Sequence, residues 1–229
     1  MLTLVIANKN YSSWSMRPWV LLKALDIPFA EVMLKFHSSE WVRDLPRLSP
    51  SSMVPVLWEG EAGADHAIAV WESTAIFEYI ADVHPHKRVW PEGIAARTHA
   101  RAIVAEMHAG FRALRTSMPM NIRSSLGDLG MNGDVAKNIG RIETIWRNTR
   151  RKFAEGKPFL FGDFSAADAM YAPVVMRFAT YQPALAADTE KYCAAVRAHP
   201  AVVEWMQAAH VETEFVAEDE PYAQPPNKV

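Results

Sequence analysis

The hydrophobic periodicity of the chain changes character once, near residue 83. Before that point, short apolar runs (LTLVIA, FAEVML, VPVLW and AIAV) alternate with helical patterns such as WVLLKAL and STAIFEYIADV. This alternation is typical of strands and helices packed into one small α/β unit. After it, apolar residues recur at i, i+3, i+4 and i+7 spacing, which predicts amphipathic helices. We therefore predict an α/β domain followed by an all-helical domain.

The boundaries of the two units follow from the same patterns. Residues 1–83 give the order βαβ–ββα, with a loop or short helix ahead of the last two strands. HPHKRVWPEG contains two prolines and mixed charges, so we place an interdomain linker at residues 84–96. Residues 97–229 form the helical domain, which opens with one long helix from Arg97 to about Arg123. Its polar, Pro-rich end is expected to be loosely held.

Composition excludes several functional classes. The 229 residues carry a net charge of −2, so the chain lacks the basic field that nucleic acid or an anionic membrane attracts. No apolar stretch approaches the roughly 18–20 residues that span a bilayer, and no signal peptide is evident. Cys193 is the single cysteine, which rules out an internal disulfide and suits a reducing compartment. We expect a soluble cytoplasmic protein that binds neither nucleic acid nor membranes.

Three serines crowd the turn between the first strand and the first helix, in NKNYSSWSMRP. We interpret Ser15 as the helix cap, because Pro18 behind it is tolerated in a first turn. Ser12 and Ser13 then lie in the preceding loop. There they are free to face a ligand.

A second polar pair, Glu72 and Ser73, precedes the helix TAIFEYI. The simplest interpretation makes Ser73 an ordinary N-cap. The free N–H groups of the same helix start can also bind a carboxylate, and Glu72 can pair with an ammonium. Such a combination suits the head group of an amino acid.

Four motifs occur in a fixed order along nearly the whole chain: YSSWSMR, SPSSMVPVL, WESTAIFEYI and FLFGDFSAADAMYAPVV. Together they resemble the serine-type cytosolic glutathione S-transferase superfamily. The SSxSxR spacing is most similar to the zeta class and its bacterial members. The resemblance implies a thioredoxin-like N-terminal domain and glutathione as co-substrate. It also implies an enzyme that attacks a small hydrophobic electrophile with the glutathione thiolate.

The resemblance assigns roles to individual residues. The thiolate-stabilising hydroxyl lies five residues before the helix arginine, which implies Ser12, with Ser13 as the alternative. Pro55 is expected in the cis form, with the Val54 backbone pairing to the cysteinyl main chain of glutathione. The implied glutathione-binding set is Ser12, Ser13, Trp14, Ser15, Val54, Pro55, Glu72 and Ser73.

A hydroxyl donor suffices for this chemistry. A thiol of pKa about 8.5 is only about 3% ionised at pH 7, and lowering its pKa by two units takes about 2.7 kcal/mol. One charge-assisted hydrogen bond contributes about 1.5–3 kcal/mol and a helix N-terminus about 0.3–1 kcal/mol. No general base is therefore required.

Three positions depart from the family pattern. Ser52 replaces a glycine, and Met53 replaces a basic residue that can reach the glycyl carboxylate of glutathione. Trp14 stands in place of the cysteine in the zeta pattern SSCS. This last change argues against maleylacetoacetate isomerase activity in particular.

The helical domain offers a second-substrate pocket. Met107, Phe111 and Arg115 lie near one helical stripe; core packing is the default for the first two, and the family's electrophile pocket is the alternative. The family also implies a homodimer, for which Trp90 is a candidate interface residue. No metal is expected, because His84-Pro-His86 lacks further ligands at suitable spacing. Two alternative functions remain open: a glutathione-dependent isomerase and a non-catalytic interaction protein of the same fold.

Overall fold

The computed structural model describes residues 1–223. Its N-terminal half is a four-stranded mixed sheet with three helices. The strands lie in the order β2-β1-β3-β4, with β1 parallel to β2 and antiparallel to β3, and β4 antiparallel to β3. The predicted βαβ–ββα order is confirmed. The elements are β1 (Leu2–Ile6), α1 (Ser13–Ala24), β2 (Phe29–Met33), α2 (Ser39–Leu48), β3 (Val56–Glu59), β4 (Ile68–Trp71) and α3 (Ser73–Val83).

The central strand β1 is buried on both faces, which explains its continuous apolar run. Alternate side chains point to opposite faces of a strand, so its residues divide between two clusters. Leu4 and Ile6 pack with Trp19 on the α1 side. Val5 packs with Leu45 of α2 on the other side. The turn that follows β1 is thereby fixed between the sheet and α1.

The C-terminal half is helical, as predicted. Helix α7 lies at its centre and packs against both α1 and α4, so it joins the two halves of the molecule. Ser165 is its N-cap and forms a capping box with Asp168. The Asp168 carboxylate also accepts hydrogen bonds from Leu160 N and Tyr192 Oη, each at 3.0 Å. The helices are α4 (Ile94–Ala109), α5 (Arg112–Ser117), α6 (Gly133–Phe153), α7 (Ala166–Tyr181), α8 (Ala187–Ala198) and α9 (Pro200–His210).

The prediction of one long helix from Arg97 to about Arg123 is wrong. The chain leaves α4 at Gly110, and Phe111 adopts a left-handed conformation with φ 61° before α5 begins. The Arg115 side chain turns back to donate to the carbonyl oxygens of Gly110 at 3.0 Å and His108 at 3.2 Å. These are carbonyls that the end of a helix leaves without partners.

The end of the described chain is tied down, contrary to expectation. The Glu212 carboxylate accepts hydrogen bonds from the backbone N–H groups of Lys9 at 2.7 Å and Asn10 at 3.0 Å. Tyr222 Oη donates to the carbonyl oxygen of Ser117 at 2.6 Å. The C-terminal segment therefore supports the turn after β1. The last part of the predicted loose tail, residues 224–229, lies outside the described residues.

Cys193 is a buried residue of the core, and burial raises the pKa of its thiol to about 12. Trp90 also belongs to the core, where it packs edge-on against Phe77, so it is not a free interface residue. Among residues 1–223, no helix is long and apolar enough to cross a membrane. The same residues contain no group of three or more His, Cys, Asp and Glu side chains that could hold a metal ion.

Candidate functional site

A cavity of about 370 Å³ lies where the turns of the α/β half meet the end of α4. Its walls come from four separate stretches of sequence: the start of α1, the loop before β3, the start of α3 and the last turn of α4. Three of these stretches belong to the motifs YSSWSMR, SPSSMVPVL and WESTAIFEYI. The lining residues are Trp14, Ser51, Met53, Val54, Pro55, Glu72, Ser73, His108 and Ala109.

Glu72 and Ser73 lie side by side in this cavity, but the predicted cap is shifted by one residue. Glu72 occupies the N-cap position of α3 without a side-chain cap bond, and its φ is 70°. A non-glycine residue held at positive φ is strained, which is often a feature of ligand sites. Its carboxylate is left exposed to the cavity, whereas Ser73 is fully buried and donates to the carbonyl oxygen of Trp14 at 3.3 Å.

The loop before β3 forms the opposite wall. The Val54–Pro55 peptide bond is cis, as expected. Ser49 Oγ closes the loop, accepting from Met53 N at 3.0 Å and donating to Met53 O at 2.6 Å. Ser52 lies in the left-handed region with φ 57°, where glycine carries no steric cost. The Met53 side chain is 67% exposed.

The serine turn differs from prediction. The N-cap of α1 is Ser12, whose Oγ accepts from Ser15 N at 3.4 Å, and not Ser15. The Ser12 hydroxyl also donates to Ser15 Oγ at 2.7 Å, and Ala7 N donates to the same oxygen at 3.2 Å. Ser13 is the first residue of the helix. The prediction that Ser12 and Ser13 lie in a free loop is therefore wrong, because the chain enters the helix three residues earlier.

Neither of these two serines lines the cavity; both are buried, and Trp14, the next residue in the chain, is the one that lines it. Ser13 Oγ accepts a hydrogen bond from Arg177 Nη2 at 3.3 Å. This contact uses an oxygen lone pair and leaves the Ser13 hydroxyl proton available to an acceptor. The Ser12 proton is already engaged with Ser15.

Three arginines surround the N-terminus of α1. Arg17 and Arg177 are buried and Arg115 is half-buried, and none of them forms an ion pair with a carboxylate within residues 1–223. The guanidinium carbons of Arg17 and Arg115 lie 4.1 and 4.6 Å from the centroid of the Trp14 ring. Burial lowers the pKa of all three guanidinium groups. Repulsion from Arg115 lowers the pKa of Arg17 and Arg177 further. Asp219 offsets part of the charge on Arg177, and the positive charge that remains favours an anion at the helix start.

The predicted second-substrate residues do not line the cavity. Met107 and Phe111 are buried in the hydrophobic core, and Arg115 is committed to the end of α4. The cavity instead receives His108 and Ala109 from α4. The apolar spacing of the helix does not single out His108 or Ala109, because neither fits the periodicity that includes Met107 and Phe111.

Both halves of the chain match models of a known protein family. The family model described as the glutathione S-transferase N-terminal domain matches residues 11–83, and that of the C-terminal domain matches residues 96–208. The chain belongs to the glutathione S-transferase superfamily. Glutathione is the co-substrate of this family, so the predicted family, fold and co-substrate are confirmed.

Individual relatives of this glutathione S-transferase are more distant. A probable maleylacetoacetate isomerase of Caenorhabditis elegans is 26% identical over 170 residues, covering 72% of this chain and 75% of the relative. The maleylacetoacetate isomerase of Rattus norvegicus is 23% identical over 175 residues, covering 73% of each. These two matches agree with the zeta-like motif spacing.

Solved structures share the fold. A glutathione transferase homologue from Burkholderia, with bound glutathione, superposes with a TM-score of 0.66 at 21% identity, covering 91% of this chain and 97% of the other. Glutathione transferase Omega 1C of Trametes versicolor gives a TM-score of 0.68 at 17% identity, covering 91% and 93%. At this level of identity the likeness concerns the fold.

Proposed function

We propose that this glutathione S-transferase binds glutathione in the cavity between the turns and α4, and activates its thiol for attack on a hydrophobic electrophile. One observation carries the proposal: residues from three distant motifs, Trp14, Val54 with Pro55, and Glu72 with Ser73, line one cavity. Glu72 and Ser73 hold the γ-glutamyl head group. The Val54 backbone pairs with the cysteinyl main chain, which directs the sulfur towards the start of α1.

The thiolate is stabilised at the serine turn. Ser12 and Ser13 are the two candidate donors, and Ser15 supports them through its hydroxyl contact with Ser12. Ser12 must release Ser15 before its proton can reach a sulfur, whereas the Ser13 oxygen only accepts a hydrogen bond and its proton is not engaged. The neighbouring arginines add positive potential, which lowers the pKa of a thiol bound here.

The electrophile is bound on the helical side of the cavity. We propose a glutathione-binding domain at residues 1–83, a linker at 84–96 and an electrophile-binding domain at 97–229. In this proposal Met107, Phe111 and Arg115 support the electrophile pocket without lining it. The α4 residues that line it are His108 and Ala109.

A glutathione-dependent isomerase is the second candidate function. It is favoured by the two maleylacetoacetate isomerases among the relatives, and it uses the same thiolate. Trp14 separates the two candidates, because it fills the position of the cysteine in the SSCS pattern. Conjugation and isomerisation assays on the same preparation distinguish them directly.

The assembly we propose is a cytoplasmic two-fold homodimer. Three exposed apolar residues support it. Ile68 and Trp71 lie on the edge strand β4 and are 52% and 42% exposed. Ile94 lies at the start of α4 and is 79% exposed. An exposed apolar edge strand in a monomer is prone to pair with another surface.

Glu72→Ala tests the binding mode. Removing the carboxylate leaves the glutathione ammonium without its partner, so calorimetry should show binding weakened by about 2 kcal/mol or more. Glu61→Ala, in the exposed loop between β3 and β4, is the matched control and should bind as the parent does. Equal affinity of Glu72→Ala and parent refutes the assignment of the head group.

A further inference from the structure

We propose that His108 completes the site for the ammonium of the γ-glutamyl group, accepting one of its protons opposite Glu72. The inference rests on the proposed function and adds a residue from the helical half to the glutathione site. It makes glutathione affinity depend on the protonation of this imidazole.

The geometry places two acceptors at one point of the cavity. His108 Nε2 lies 3.5 Å from Glu72 Oε2, and both residues line the cavity. An ammonium that donates to two acceptors at tetrahedral angles needs them about 4.6 Å apart, taking about 2.8 Å for each bond. The Glu72 side chain is 55% exposed and can swing outward by about 1 Å to reach that separation.

The imidazole itself is held in place. Its ring meets Trp14 edge-on, with centroids 5.2 Å apart and an interplanar angle of 68°. The side chain is 28% exposed, and Nδ1 is buried without a hydrogen-bond partner in the described structure. Trp14 thus fixes a donor-acceptor group beside a carboxylate, on the wall where the head group binds.

The charged groups around His108 favour its neutral form. Burial is the largest effect and lowers the pKa of the imidazole. The Glu72 carboxylate at the start of α3 raises this pKa, whereas Arg17 on α1 and Arg115 on α5 lower it further. Above its pKa the neutral imidazole accepts an ammonium proton. Below it, the imidazolium repels the ammonium and pairs with Glu72 itself. Glutathione affinity should therefore fall as the pH falls through the His108 pKa.

Calorimetric titration of the full chain with glutathione at pH 5.5 and 7.5 tests this. The carboxyl groups of free glutathione stay ionised and its amino group stays mainly protonated in this interval, since such groups titrate near 3.5 and 8. His108→Gln keeps an acceptor that does not titrate, so its affinity should be nearly equal at the two pH values. His108→Phe lacks the acceptor and should bind about tenfold or more weakly at pH 7.5. His66→Gln, an exposed histidine between β3 and β4, is the matched control and should follow the parent.

A glutathione analogue without the amino group shows whether the ammonium is the partner. The parent and His108→Phe should bind the analogue equally, and independently of pH. If His108→Phe binds glutathione as the parent does, or loses the same factor for both ligands, the inference is wrong while the proposed function stands. If the parent binds no glutathione at either pH, the proposed function itself fails.

Discussion

Ser12→Ala and Ser13→Ala together distinguish two roles of the serine turn, the capping of α1 and the stabilisation of the thiolate. Ser12→Ala removes the cap bond to Ser15 N, which is long at 3.4 Å, and the 2.7 Å bond to Ser15 Oγ. We expect a loss of about 1–2 kcal/mol in the free energy of unfolding. Ser13→Ala leaves the cap intact and removes only the acceptor of Arg177. Its unfolding free energy should fall by about 1 kcal/mol.

The two variants should differ in catalysis as well. Whichever hydroxyl donates to the sulfur favours the charged form of the thiol, so its removal raises the pKa of bound glutathione. A lost bond of about 1.5–3 kcal/mol corresponds to about one to two pKa units. The pH dependence of kcat should move upward by that amount, and activity should recover near pH 9. Glutathione affinity should change little, because the contacts proposed for the head group, Glu72 and Ser73, lie outside this turn.

The assay is conjugation of a chromogenic aryl electrophile between pH 5.5 and 9.5, with urea unfolding of the same preparations. The free hydroxyl proton of Ser13 predicts the larger shift for Ser13→Ala, whereas the family pattern predicts it for Ser12→Ala. A shift in one variant alone identifies the donor. Unchanged profiles in both variants refute the assignment of the thiolate site to this turn.

Two further perturbations test the cavity and the assembly. Met53→Lys introduces a cation beside the expected position of the glycyl carboxylate. Calorimetry should show glutathione binding tightened by about 0.2–1 kcal/mol. Unchanged or weaker binding would place the glycyl end elsewhere. Light scattering should give twice the chain mass of 25.7 kDa for the parent and for Val42→Glu on α2, and a monomer for Trp71→Glu on β4. A monomeric parent contradicts the dimer.

The sequence was most informative where one residue's environment is set by its neighbours in the chain. Short apolar runs predicted all four strands, and the change to period-3.6 patterns predicted the helical second half. The run of β1 is continuous because the strand is buried on both faces. The capping box of Ser165 with Asp168 is a local feature of the same kind, since both residues lie within one helical turn. These features depend on contacts between residues close in sequence or on simple burial.

The errors arose where distant parts of the chain decide the local structure. The apolar pattern continues through Gly110, since Met107 and Leu114 are buried on both sides of the break, so the pattern hides the turn at Phe111. Three serines within four residues left the start of α1 ambiguous. His108 and Arg177 reach the site only through the packing of α4 and α7 against the first half, which periodicity does not encode.

The most direct test of the account is a spectroscopic titration of the glutathione thiol in its complex with the parent protein. The serine turn, the start of α1 and the surrounding arginines all favour the thiolate. The account predicts that the pKa of the bound thiol lies about two units below the value of about 8.5 for a free thiol. A bound thiol that ionises at or above the free value contradicts it.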